Sequence, residues 1–191
     1  MVEVPETLGG QLLVAMPTLV DPNFWRTVVL LGVHSPEDGA FGLVINRELE
    51  VSLAQVLSEL GREAPAAAGL PPVMSGGPVE PTHGFVLYER GAEETGDVLA
   101  VEPGLAISGS LETLAELAAG RRPGRFRLFL GYSGWAPGQL EREIEENSWL
   151  VAPLDPELVF EVPVLERWER ALRSIGVDPG TLVDAGSAAP S

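Results

Sequence analysis

The 191 residues carry a formal charge of −16, from 28 acidic and 12 basic side chains, and no cysteine; disulfides, thiolate nucleophiles, iron–sulfur clusters and cysteine-type zinc sites are excluded. All 12 basic residues are arginine, so Schiff-base lysine chemistry and a P-loop whose lysine reaches the phosphates are excluded too. The negative field also opposes nucleic acid, whose affinity rests on cations displacing counterions from phosphates.

The length and the 45% apolar content predict a single domain over residues 1–191 with one sizeable core. MVEVPETLGG lacks a basic n-region, and no apolar run approaches the roughly 18 residues of a membrane helix. A cytoplasmic protein without a membrane segment is expected. The charge is uneven: residues 121–191 hold 8 arginines against 11 acids, residues 1–120 hold 4 against 17. Any anion site is therefore expected in the C-terminal third.

In chain order, residues 11–16 (QLLVAM) read as a short buried strand ended by Pro17, and Asp21-Pro22-Asn23 as a turn. Residues 27–34 and 40–46 are Val- and Leu-rich runs flanking the turn signal Pro36-Glu37-Asp38-Gly39, which predicts an antiparallel hairpin. Ser52 and Gln55 make a capping box for a helix to Leu60, with Leu53, Val56, Leu57 and Leu60 on one face. Residues 62–72 have the composition of a surface loop. Strands are predicted at 73–75 and 83–88 around the GGPVEP turn, then an exposed acidic loop at 91–97 and a hairpin from 98–102 and 105–108.

Ser110 suits the N-cap of a helix over 111–119, with Leu111, Leu114, Ala115, Leu117 and Ala118 inward and Gly120 at its end. A strand at 125–130 follows, then an acidic helix opened by Pro137 with Leu140 and Ile144 inside. Pro163 opens a last helix with the stripe Leu165, Trp168, Leu172 and Ile175, and the tail over about 183–191 is expected to be flexible. Antiparallel-looking pairs interrupted by helices, without βαβ alternation, predict an α+β fold.

Gly131-Tyr132-Ser133-Gly134-Trp135 comes close to a nucleophile elbow, but G-x-S-x-G requires glycine where Trp135 stands, and the helix starts only after Ala136-Pro137. The segment reads instead as a structural turn supporting a buried Trp135. Ser75-Gly76-Gly77-Pro78 offers a small anion nest, reduced because Pro78 has no N–H. A tight turn, or close approach to the 131–135 segment, accounts for its two glycines more simply.

Only two histidines are present, His34 and His83, too few for a His-rich metal centre. Each is expected as a surface or hydrogen-bonded side chain rather than a ligand or base. Glu141, Glu143, Glu145 and Glu146 lack EF-hand or HExxH spacing and read as a solvated face partly paired with Arg142. No metal and no cofactor are expected. Arg121, Arg122, Arg125 and Arg127 form the one basic run and the candidate anion site, with pairing to the abundant acids as the alternative. Asn46 reads as a turn-locking amide or a site residue. The four tryptophans belong in the core by default, whereas an exposed Trp25 beside Phe24 would mark a contact patch.

Three segments, MPTLVDPNFWRTVVLLGVHSPEDGAFGLVINR, the tetrad GGPV at 76–79 and LGYSGWAPGQLEREIEENSWL, together resemble the AlgH/YqgE family of small bacterial proteins; the likeness runs from Gly9 to about Ala188. Two positions depart from the family's habit, which is commonly Ala at Ser133 and often His at Tyr88, and both weaken a family-wide acid–base scheme. The resemblance implies a strongly twisted, largely antiparallel sheet or partial β-barrel with helices packed around it. The family's label as a transcriptional regulator of alginate synthesis finds neither a helix-turn-helix signature nor a basic recognition helix here.

The expectation is a non-enzymatic binding or regulatory protein acting through the GGPV and GYSGW loops, with Asn46, Ser75, Gly76, Gly77, His83, Ser133 and Trp135 around the site. Its partner is a protein or small molecule; an acidic surface suits a basic or arginine-rich protein. The alternative is a hydrolase-like enzyme with Ser133 or Ser75 and His83 in a cleft. That alternative requires a serine oxygen within hydrogen-bond reach of an imidazole. Direct DNA binding is least favoured.

Overall fold

The computed structural model describes residues 7–65, 69–91 and 98–185. Among these, nine strands form one sheet. The chain opens with β1 (Gln11–Ala15), β2 (Val28–Ser35), β3 (Gly39–Val44) and helix α1 (Leu53–Glu59). Then come β4 (Val73–Ser75), β5 (Val79–Glu89), β6 (Leu99–Val101), β7 (Leu105–Ser108) and α2 (Leu111–Ala118). It closes with β8 (Phe126–Trp135), α3 (Gln139–Glu145), β9 (Trp149–Pro153), α4 (Pro156–Phe160), a 3-10 turn (Val164–Glu166), α5 (Arg167–Ser174) and α6 (Pro179–Ala185).

The strand order is β6-β7-β5-β8-β3-β2-β1-β9, all antiparallel, and β4 adds a parallel pairing to β8. The protein is an α+β fold whose sheet curls on itself. Edge strand β6 approaches β2 across the sheet, so that a Cβ built on Gly32 would lie 2.9 Å from the Leu99 side chain.

Both faces of the sheet are covered, as strand alternation requires. On β1, Leu12 and Val14 face the cluster under α4 and α5 with Phe160, Trp168 and Leu172, while Leu13 and Ala15 face Leu140 and Ile144 of α3. A third cluster seats α1 and α2 on β5 and β8 through Leu53, Leu57, Leu114 and Leu117. Local signals act as their chemistry dictates: Ser52 Oγ accepts from Gln55 N at 3.1 Å while the Gln55 side chain accepts from Ser52 N at 2.8 Å, and Ser110 Oγ accepts from Thr113 N at 3.3 Å.

The 131–135 segment is not a turn: β8 runs through it to Trp135. The strand bends at Gly131 (φ +78°), and beyond the bend Ser133, Gly134 and Trp135 pair with Gly42, Phe41 and Ala40 of β3. Three further elements, β9, α4 and α6, fall where none was predicted. The last long helix starts at Arg167 rather than at Pro163, and the preceding 3-10 turn carries Leu165 outward to 95% exposure. Most of the acidic loop (92–97), part of the 62–72 loop (66–68) and the tail beyond Ala185 lie outside the described residues. Helix α6 occupies the start of the stretch expected as tail.

At the centre, β4 ends against the bend of β8. Gly76 N donates to Leu130 O at 2.9 Å, and Gly76 O accepts from Val44 N at 2.9 Å and from Ser133 Oγ at 3.2 Å. A Cβ on Gly76 would lie 2.3 Å from Gly131 O, and one on Gly77 2.3 Å from the Tyr132 carbonyl. These are backbone-to-backbone approaches that only glycine permits. Gly76→Ala is therefore expected to lower stability by more than about 3 kcal/mol, because the clash is with main chain rather than a movable side chain. A urea-melt midpoint within error of wild type would refute this.

Candidate functional site

The residues predicted to surround a site fall into two groups. Ser133, Gly76 and Trp135 are buried, Ser133 completely. The Ser133 hydroxyl is committed to Gly76 O. Ser75 is half-buried in β4, and its N–H donates to Arg47 O. Asn46 clamps the chain before β2, accepting from Val28 N at 2.9 Å and donating to Arg26 O at 2.8 Å. Arg26 has φ +51°, and the amide holds that turn. The GGPV and GYSGW segments thus meet, but through packed backbone rather than as an open surface.

His83 is exposed on β5 with its ring 4.7 Å from that of Phe85. Among the described residues no serine hydroxyl hydrogen-bonds to either histidine. His34 is 5% exposed; its Nδ1 accepts from Leu8 N at 2.9 Å and its Nε2 meets Glu141 Oε1 at 2.6 Å. With Nδ1 an acceptor, Nε2 carries the proton and donates to the carboxylate. Glu141 was expected on a solvated face; it instead ties α3 to the first hairpin through His34.

Trp135 is 5% exposed and packs with Phe24 and Trp149 at ring separations of 6.1 and 6.0 Å. Trp25 is half-buried, with the Arg26 guanidinium 5.0 Å from its ring centre. Glu143 reaches under this cluster. Burial pushes its carboxyl above the ordinary 4.5, and the neighbouring Trp149, Gln139 and Trp135 side chains offset this only in part. Glu143 Oε2 and Trp149 Nε1 are both buried without a hydrogen bond of ordinary geometry.

The basic run is largely spent internally. Arg125 reaches Glu89 at 2.7 Å, Glu157 at 2.8 Å and Glu161 at 3.2 Å. Arg127 donates to the carbonyls of Phe126 and Phe160. Arg122 lies 3.4 Å from Glu116, and Arg121 is exposed. Among the described residues no three His, Asp or Glu side chains converge as metal ligands would, and no helix is long and apolar enough to cross a membrane.

An open concavity lies elsewhere, between the end of α1 and the start of α2. This groove of about 440 Å³ has Leu128 and Leu130 of β8 in its floor, Val56, Leu60, Leu111 and Leu114 on its walls, and Glu59 and His83 at its edge. Its volume lies in the usual range of binding pockets, roughly 300–1,000 Å³. Sequence reasoning found both apolar helix faces but not the groove. Leu60, which caps α1 and falls on its predicted apolar face, remains 49% exposed, and nothing in the helix's own residues shows this.

The AlgH-like family model matches residues 12–180. The chain belongs to this family. A UPF0301 protein of Anaeromyxobacter dehalogenans is 45% identical, with 97% of this chain and 98% of the relative aligned. One from Magnetococcus marinus is 41% identical over 94% and 95%. The solution structure of the AlgH protein from Pseudomonas aeruginosa superposes with a TM-score of 0.78 at 38% identity, covering 98% of both chains. A crystal structure of a Corynebacterium diphtheriae protein, 24% identical over 98% and 95%, shares the fold with a TM-score of 0.72. The AlgH-like resemblance seen in the sequence is thus established along nearly the whole chain.

Glu143 offers a pH test of this AlgH-like chain. Its folded-state pKa is raised, so the folded protein holds the proton more tightly than the unfolded chain, and stability present below 4.5 is lost as pH rises through the folded value. Glu143→Gln is expected to raise the urea midpoint at about pH 7, with the gain fading below 4.5. An equal gain at both pH values would show that the charge is not responsible.

Proposed function

We propose that this AlgH-like protein is a non-enzymatic binding protein of the bacterial cytoplasm, and that the groove between α1 and α2 is its contact site. The observation that supports this best is the contrast between the groove and the junction. The groove is open and apolar, with half-exposed Leu60 at its lip. The polar groups of the GGPV and GYSGW segments are engaged with one another and with neighbouring strands: Ser133 Oγ with Gly76 O, Gly76 N with Leu130 O, and Ser133 to Trp135 with β3. Those segments serve the site indirectly: β5 leaves the junction at Val79 and carries Pro81, Thr82, His83 and Gly84 to the groove. Of the residues singled out by sequence, His83 belongs to the groove's lining, while Asn46, Gly76 and Ser133 are committed to the frame behind it.

The hydrolase alternative would need Ser133 released from Gly76 O and brought to an imidazole, which its burial opposes. A direct DNA-binding role is opposed by the charge of −16.

Nile red, a neutral dye that brightens in apolar surroundings, tests the groove directly. Wild-type protein is expected to bind it and Leu60→Glu to bind it roughly tenfold more weakly, as expected for an anchor position. Leu60 is half-exposed, so the variant keeps its fold. Ser133→Ala is expected to cost about 1 kcal/mol and to leave dye binding intact. Dye binding indifferent to Leu60→Glu would sink the groove reading. An ester-hydrolysing activity abolished by Ser133→Ala would restore the enzyme.

A further inference from the structure

The charges around the groove specify its occupant further, an inference that rests on reading the groove as the contact site. Glu59 lines it, and exposed Glu50 and Glu80 each adjoin a lining residue, Val51 and Pro81. Among the described residues none of these three carboxylates has an ion-pair partner. Arg62, two residues beyond Leu60, is paired with Glu112 of α2 at 2.9 Å and so links the ends of the two helices. The groove therefore presents an apolar floor with unpaired Glu59 in its lining and the exposed, unpaired Glu50 and Glu80 one residue outside that lining in the chain.

A second copy of this chain would bring another −16 toward these carboxylates, and anionic lipid or nucleic acid would be repelled likewise. A purely apolar small molecule would leave them unused. We infer that the groove takes a short, basic, amphipathic helical segment of a partner protein. Its apolar face would supply anchors at i, i+3, i+4 and i+7 to Val56, Leu60, Leu111 and Leu114, and its Arg or Lys flanks would meet Glu50, Glu59 and Glu80. Rim charges of this kind govern association rate and partner choice more than final affinity, so binding is salt-dependent.

The probes are two labelled synthetic helices of about four turns with identical leucine faces, one carrying arginine and the other glutamate at all remaining positions, followed by fluorescence anisotropy at low ionic strength. The basic peptide is expected to bind and the acidic one not. Glu59→Gln with Glu80→Gln should weaken binding about fivefold. A control pair with the same charge change on remote exposed sites, Glu37→Gln with Glu145→Gln, should weaken it less than twofold. Leu60→Glu should weaken the basic peptide about tenfold.

Equal loss in the rim and control pairs would mean that net charge alone holds the peptide, and the inference falls. Equal binding of the acidic peptide overturns it as well. If Nile red binds in a Leu60-dependent way while neither peptide does, the occupant is wrong and the groove reading stands. If neither dye nor peptide responds to Leu60→Glu, both fall together.

Discussion

The rest of the molecule depends on one close contact, where the backbone of Gly76 and Gly77 lies against Gly131, Tyr132 and Ser133 with no space for a side-chain carbon. Three strands meet there. Gly76, just past the end of β4, bonds to β8 through its N–H and to β3 through its carbonyl, so one residue is fastened to both strands. The bend at Gly131 lets a single strand serve both halves of the sheet, with β5 and β4 beside its first part and β3 beside its last. GGPV and GYSGW, far apart in sequence, are two sides of one structural device. Their glycine content follows from contact distance, and no ligand is needed to account for it.

Electrostatics is arranged around the same frame. Arg125 gathers three glutamates from β5, α4 and the end of α4, which holds Glu89 below the ordinary carboxylate range through their hydrogen bonds and raises the guanidinium's own pKa. Arg127 and Arg167 are desolvated, which lowers both pKa values, Arg167 to about 10. They donate mainly to carbonyls: Arg127 to Phe160, Arg167 to Val162 and Ile45. Such buried donors fasten α4 and α5 to the sheet by satisfying carbonyls that would otherwise be unpaired. Arg127 and Arg167 of the arginine-rich C-terminal third are thereby drawn inward, while Arg121, Arg142, Arg170 and Arg173 stay exposed. Its basic run reads as an anion site in sequence and works largely as internal stapling in the fold.

What the sequence made legible was what neighbouring residues decide. The capping box at Ser52, the cap at Ser110 and the hairpin turn after Ser35 are each settled within a few residues. Family likeness supplied the twisted antiparallel sheet. Strand β9 escaped because its five residues are fixed by pairing with β1, more than a hundred positions away, and carry no alternation of their own. The 131–135 segment looked like a turn because glycines and Trp135 crowd it. Only pairing with β3 makes it strand. Leu165 was misplaced because the final stripe was phased from Pro163, whereas a 3-10 turn intervenes and resets the helix at Arg167. The groove was invisible for a related reason: it lies between two helices more than fifty residues apart, and neither helix alone reveals where its apolar face goes uncovered.

A contact surface beside such a frame has a mechanical advantage over one on a free loop, because its geometry is set before a partner arrives and less ordering is lost on binding. The connection here is a row of aromatic rings. His83 at the groove lies 4.7 Å from Phe85, which lies 5.8 Å from Tyr132 and 5.1 Å from Phe41, with Phe41 and Tyr132 5.3 Å apart. Tyr132 is itself the residue whose carbonyl presses on Gly77. Displacing the groove edge at His83 would therefore disturb packing that runs to the junction. A substitution at Gly76 or Gly77 that alters partner binding is thus consistent with a site some distance away, so mutational loss at the glycines does not place the site among them. Substitutions at the exposed rim, which leave the frame intact, can locate it.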